Sequence, residues 1–162
     1  MTRHANSARE RFASGVKAVR KLRGLSQEEL AERAGLNRTY VSGVERGSIN
    51  IRLDNIDKLA GALAVRACQF LEDAGSRNES ALSASRPDLR SEVAHHVRTQ
   101  RKLAGISQER LAEVAGFHRT YVGNIERDIA NLSLDDLEAL AAVLGVDPAL
   151  LLGSGSAEDN AG

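Results

Sequence analysis

The chain has 162 residues, 22 Lys/Arg balanced by 22 Asp/Glu, few aromatics, no Trp and one cysteine, Cys68. A single cysteine excludes an intrachain disulfide and a cysteine-built zinc site within one chain. No apolar run approaches the ~18 residues needed to span a bilayer, and the N-terminal MTRHANSARERF lacks the apolar segment of a secretory signal, so a cytoplasmic protein is expected.

Residues 1 to about 8 read as a loose basic end. From Arg9 to Arg23, Phe12, Val16, Val19 and Leu22 recur at helical spacing, with Arg11, Lys17, Lys21 and Arg23 on the other side. Ser26 and Glu29 have the spacing of a capping box and predict a short helix, which ends at Ala34 because Gly35 suits a left-handed turn. Asn37 can cap a next helix whose Val41 and Val44 share one face, leaving Arg38, Thr39, Ser42 and Gly43 mostly on the opposite one. After the connection SINIR, Leu53 to Leu63 places Ile56, Leu59, Ala60 and Leu63 together, and a last short helix is expected near Ala67 to Leu71. Residues 73–86 lack apolar periodicity and read as a linker. Pro87 suits the first turn of a following helix. As a coil, the stretch 73–92, about 20 residues, spans ~25 Å on average and at most ~65 Å extended.

The rest of the chain is a copy. Gly24 aligns with Gly105, and from there to Leu71 and Leu152, at a constant offset of 81, 23 of 48 positions are identical. The period exceeds that of stacked solenoid repeats, so each copy is a small domain. The second repeats the plan with helices expected at Val93–Leu103, Gln108–Ala115, Arg119–Glu126 and Leu134–Leu144, and Asp147-Pro148 opens a final one through Leu152. The expected organisation is a first domain at 1–72, a linker at 73–86, a second domain at 87–153 and a disordered tail at 154–162. Copy two departs at Arg110 for the capping-box Glu, at Asp128 for Gly47, and on the third helix. Residues 1–72 carry 13 Lys/Arg and 8 Asp/Glu (+5), residues 93–152 carry 6 and 8 (−2). Any polyanion is therefore expected to favour copy one.

Q-x-x-L-A-x-x-A-G at Gln27 to Gly35, R-T-Y-V at Arg38 to Val41 and E-R-G at Glu45 to Gly47 resemble the lambda-repressor-like, XRE-type helix-turn-helix transcriptional regulators. Controller proteins of restriction-modification systems and phage-type repressors share R-T-Y-V followed by E-R-G. The resemblance covers roughly 12–71 and 93–152. It implies an all-α chain of two tandem five-helix domains joined by a flexible linker, from a bacterium, phage or mobile element. It also implies a sequence-specific double-stranded DNA-binding regulator, repressor or autoregulator, located with the nucleoid.

By resemblance, the third helix of each copy enters the major groove. That assigns base reading to Asn37, Arg38, Thr39, Ser42 and Gly43, and to His118, Arg119, Thr120, Gly123 and Asn124. Arg38 and Arg119 can make two hydrogen bonds to guanine, the threonine methyls can meet thymine, and Asn124 can read adenine. For the arginines a solvated face or a phosphate contact is the competing reading. Gln27 and Gln108 stand where relatives place a glutamine on phosphate, at helix amino ends that favour anions. Asn50, Arg52 and Asn131 fit backbone contact, with a turn or cap role equally open for the asparagines. Tyr40 and Tyr121 can donate to phosphate or pack their rings under the turn. Arg20 with Glu45 and Arg101 with Glu126 are implied to be structural ion pairs between the first and third helices.

His4, His95, His96 and His118 have no metal-ligand spacing, Cys68 reads as a core residue, and no catalytic constellation stands out. Neither an enzyme nor a cofactor is expected. Two heads on one chain can cover two half-sites as a pseudo-dimer, dimerise to cover four, or use copy two mainly for dimerisation. Contact with RNA polymerase or another regulator is a further expected partnership. The alternative is a protein-binding adaptor, such as an antitoxin or antiactivator, with the acidic copy two as its partner surface.

Overall fold

The computed structural model describes residues 6–73 and 88–153. Residues 1–5 of the expected basic end, most of the linker with Pro87, and the polar tail lie outside the described residues. Within them all regular structure is helical, apart from one isolated antiparallel bridge.

Copy one comprises α1 (Ala8–Leu22), α2 (Gln27–Ala34), α3 (Arg38–Glu45), α4 (Leu53–Leu63) and a 3-10 turn at Ala67–Phe70. Copy two comprises α5 (Leu89–Leu103), α6 (Gln108–Ala115), α7 (Tyr121–Glu126), α8 (Leu134–Leu144) and α9 (Pro148–Leu151). The first helix starts earlier than its apolar period suggests, because Ser7 and Glu10 form a capping box of their own. Likewise α5 starts at Leu89, with the Asp88 carboxylate accepting from the Arg90 amide, four residues before the expected Val93. In copy two the third helix is shorter than expected: Arg119 and Thr120 belong to the turn. The helix begins at Tyr121, and Thr120 supplies no side-chain cap.

In each copy the apolar stripes meet in one core. Phe12 and Phe70 meet edge to face with centroids 5.1 Å apart. Gly15 lets the 3-10 turn lie directly on α1, since a Cβ there would run into the Phe70 carbonyl. Cys68 is 3% exposed, and burial pushes its thiol up to about 12. Such a thiol is inert at neutral pH.

The two tandem all-α domains are present as expected, and the copies are in addition docked, with one apolar cluster running through both. The contact has twofold character, visible in the 81-residue offset. The Leu53 amide donates to the Leu132 carbonyl at 2.9 Å, and the Leu134 amide to that of Ile51 at 2.8 Å. This forms the bridge between Arg52 and Ser133, through which the pseudo-axis passes. Arg9 reaches across to Asp135 and Arg90 to Asp54, with Nη2 to carboxylate distances of 2.6 Å in each case. Ile51, Leu53, Leu132 and Leu134 are each 1% exposed. Burying such side chains contributes ~1.5–3 kcal/mol apiece, more than ion pairs open to solvent. The apolar seam therefore holds the copies together, and the reciprocal polar contacts set their register.

Candidate nucleic-acid interface

The Ser26 hydroxyl accepts from the Glu29 amide while the Glu29 carboxylate accepts from the Ser26 amide. Those bonds hold the Glu29 carboxyl below the usual range. Gly35 closes α2 at φ 67°, and Asn37 Oδ1 accepts from the Tyr40 amide at 2.7 Å to start α3. Copy two keeps the Ser107 cap and turns at Gly116, φ 81°. His118 takes Asn37's place there. Its Nδ1 lies 2.8 Å from Thr120 Oγ1 and 3.3 Å from the Thr120 amide, whose N–H it accepts.

The turns leave Asn37, Arg38, Thr39, His118, Arg119 and Thr120 exposed. Arg38 and Arg119 make no ion pair among the described residues, so their planar forks remain available to an outside acceptor. Ser42 Oγ accepts from Arg46 Nη1 at 2.9 Å, and Asn124 Oδ1 from Arg127 Nη2 at 2.7 Å. Arg46 and Arg127, exposed at the ends of α3 and α7, thus extend both cationic edges. Sequence reading left them out, although the E-R pair recurs at the same offset.

Two glycines expected on the base-reading surface belong elsewhere. Gly43 is buried beneath Ile49, whose Cδ1 would lie 2.5 Å from an added Cβ. Gly123 is half-buried against Gln108, with Oε1 at 3.3 Å from such a Cβ. Both let another side chain approach the helix and present nothing to a base.

The residues expected on phosphate are largely engaged within the protein. Gln27 Nε2 donates to Glu45 Oε2 at 2.9 Å, and Gln108 Nε2 to Glu126 Oε2 at 2.6 Å. Asn50 Oδ1 accepts from the Asp135 amide at 3.0 Å, and Asn131 Oδ1 from the Asp54 amide at 3.1 Å. Each asparagine therefore caps the other copy's helix, satisfying an amide that α8 or α4 leaves open. Exposed Arg52 donates to the Asn131 carbonyl. The asparagines thus take the cap role that was equally open for them, through the docking of the copies, whereas each glutamine is tied to the third helix of its own copy.

Tyr40 and Tyr121 differ from each other. The Tyr40 hydroxyl accepts from Asn55 Nδ2 at 3.0 Å, whereas the Tyr121 hydroxyl donates to Asp136 Oδ2 at 2.7 Å. Burial, then the hydrogen bond to Asp136 and its charge, push the Tyr121 phenol well above the ordinary tyrosine range. Its ring meets Phe117 edge to face at 5.0 Å.

Beneath this surface, Arg20 Nε donates to Glu45 Oε1 at 2.5 Å and its Nη1 to the Leu25 carbonyl at 2.7 Å. Arg101 repeats the pattern with Glu126 at 2.6 Å and the Ile106 carbonyl at 2.9 Å. Copy two adds Arg98, whose Nη2 donates to the Glu126 carbonyl at 3.1 Å. Burial by itself would raise both carboxyls, but the bonds from arginine and glutamine outweigh it and hold Glu45 and Glu126 below the usual range. The pair fixes α3 and α7 against α1 and α5, and so fixes the aim of Arg38 and Arg119.

A capped helix, a left-handed turn and a second helix with a cationic edge, present twice, define a DNA-binding transcription regulator of the XRE helix-turn-helix class. The helix-turn-helix family matches residues 16–70 and again 97–151, and the chain belongs to it. Over 60 residues the chain is 53% identical to the "Neisseria hypothetical transcription factor" of Neisseria meningitidis serogroup B, a match covering 37% of this chain and 57% of that one. The alignment therefore spans little more than half of the Neisseria protein. The chain is 42% identical over 65 residues to control protein C.SmaI of Serratia marcescens, covering 40% and 77% respectively. To the immunity repressor protein of Bacillus phage phi105 it is 43% identical over 51 residues, covering 32% and 35%. Among solved structures, the restriction-modification controller protein C.AhdI of Aeromonas hydrophila is 45% identical, covers 38% of this chain and 94% of that one, and superposes with a TM-score of 0.38.

The described residues contain no group of three or more His, Cys, Asp or Glu placed to hold a metal ion. No described helix is long and apolar enough to cross a membrane.

Proposed function

We propose that this chain is a sequence-specific regulator that carries both halves of a twofold DNA-reading unit in one polypeptide and binds an operator of two half-sites. One observation carries the proposal: the reciprocal contacts around Arg52 and Ser133 fix the copies to each other while Arg38 and Arg119 stay exposed. Two such heads suit half-sites about one turn of DNA apart, ~34 Å from centre to centre. Because the reading edges differ (Asn37, Arg38 and Thr39 against His118, Arg119, Thr120 and Asn124), the half-sites are related and unequal. Occlusion of a promoter by the bound protein gives repression, and of its own promoter, autoregulation.

Selection of bound duplexes from a random pool tests this. The expected result is two unequal half-sites at a fixed spacing. One isolated half-site, or no enrichment at all, contradicts it. The adaptor alternative predicts no enrichment and no fall of duplex affinity with added salt.

A further inference from the structure

We infer that Asp136 weakens the grip of copy two on the DNA backbone, so that the two heads bind with unequal strength. This rests on the DNA-reading function proposed above and adds a residue that sets the balance between the heads.

The inference comes from comparing equivalent corners. Asn55 and Asp136 are one position 81 residues apart, each in the first turn of the helix that follows the recognition segment. Asn55 can donate to a phenol oxygen, and at 3.0 Å its Nδ2 does so to Tyr40. The Tyr40 proton is then left for an outside acceptor. A carboxylate can only accept, so Tyr121 must turn its proton inward, onto Asp136 Oδ2 at 2.7 Å. Copy two thus loses a neutral donor and gains a fixed negative charge beside the start of α7.

The surroundings bear on the contrast in both directions. Asp136 lies in the first turn of α8 next to Asp135, whose charge is taken up by Arg9. Among the described residues Asp136 has no ion-pair partner within salt-bridge distance. The nearby cation is Arg52 of copy one, whose charge acts on Tyr121 and whose Nη1 is tied to the Asn131 carbonyl. The copy-one corner has no such cation across the axis, because the equivalent of Arg52 there is Ser133 of copy two, which is neutral and caps α8, so Arg52 offsets part of the Asp136 charge. Like charge at a phosphate path lowers affinity whatever the base sequence, because each net charge changes the number of counterions exchanged.

The test uses the full chain and a labelled duplex of mixed sequence, about 30 base pairs long so that two half-sites ~34 Å apart fit. Asp136→Asn is isosteric and gives copy two the chemistry of copy one; Asn55→Asp does the reverse. Binding is titrated at several salt concentrations, with Tm recorded for each variant. Asp136→Asn is expected to bind roughly threefold to tenfold tighter, with a salt slope steeper by about one unit, and Asn55→Asp to bind correspondingly weaker. A gain of affinity from removing a hydrogen-bonded carboxylate is not what a purely structural residue gives. Unchanged or weaker binding by a folded Asp136→Asn protein overturns the inference while the wild-type titration still supports DNA binding. If wild-type chain itself shows no salt-dependent binding to the duplex, the proposed function fails and this inference with it.

Discussion

Arg9 and Asp135 hold each other across the chain with Nη2 and Oδ2 2.6 Å apart, and the same bond recurs between Arg90 and Asp54, 81 residues on in one partner and 81 back in the other. A bond that repeats under exchange of the copies is the mark of an isologous interface, formed here within one molecule. Charge reversal tests it. Arg9→Glu is expected to lower Tm by setting two carboxylates face to face, and adding Asp135→Arg should recover most of the loss. No recovery in the double variant would show that the pair is not in contact in solution.

The apolar seam should matter more than the ion pairs. Leu134→Ala removes a side chain that is 1% exposed at the junction of the copies, and its expected cost is ~2–5 kcal/mol. Thermal unfolding should stay a single transition, at lower temperature, because the copies share one core. Two resolved transitions in the wild type would contradict the docked arrangement.

Glu45 is 3% exposed at its side chain and neutralises Arg20. Removing it by Glu45→Ala leaves a guanidinium short of its partner, at an expected cost of ~3–5 kcal/mol. Calorimetry would show the loss, and DNA affinity should fall with it because α3 is no longer held in place.

Acid sensitivity follows from the same carboxyls. Glu45 and Glu126 lie below the ordinary 4.5 in the folded chain. Their contribution is therefore complete above the unfolded value and lost as pH falls through the folded one. Tm should be nearly flat from pH 7 to about 5 and drop steeply below ~4. A Glu45→Gln, Glu126→Gln chain should start lower and drop less, and an identical drop would place the acid sensitivity elsewhere.

Gly15→Ala should be far more damaging than Gly61→Ala. A Cβ at Gly15 would strike the Phe70 carbonyl, which as backbone cannot step aside, while nothing lies within 4 Å at Gly61. Overpacking of that kind costs ~1–3 kcal/mol or more. Equal Tm values for the two variants would mean that the 3-10 turn does not sit on α1.

Much of the fold was legible because local signals agree with it. Ser26 and Glu29, Gly35, Asn37 and Asp147-Pro148 each act within a few residues, so the helices they start or stop follow from spacing alone. The start of α1 at Ser7 and Glu10 carried the same signal and was missed through reliance on apolar period. The candidate surface was legible where it is defined by the turn, at Arg38 and Arg119. It was not legible at Asn50 and Asn131, where a backbone contact and a cap role stayed equally open, or at Gly43, because their partners lie across the pseudo-axis or in the loop after α3. Docking is a long-range property that no local pattern encodes. Its traces in the sequence were recurrences at the 81-residue offset, of Arg9 and Arg90 together with Asp54 and Asp135, and of Asn50 with Asn131. The contrast between Asn55 and Asp136 was visible in the alignment of the copies, but its meaning needed the tyrosines beside them.

The most direct test of a two-headed chain acting as its own dimer is the stoichiometry of the complex, read by native mass spectrometry on a duplex taken from selection. One chain bound to one duplex, with both half-sites protected and free protein monomeric, is the expected result. Two chains on the same pair of half-sites, each engaging one through a single copy, would contradict it.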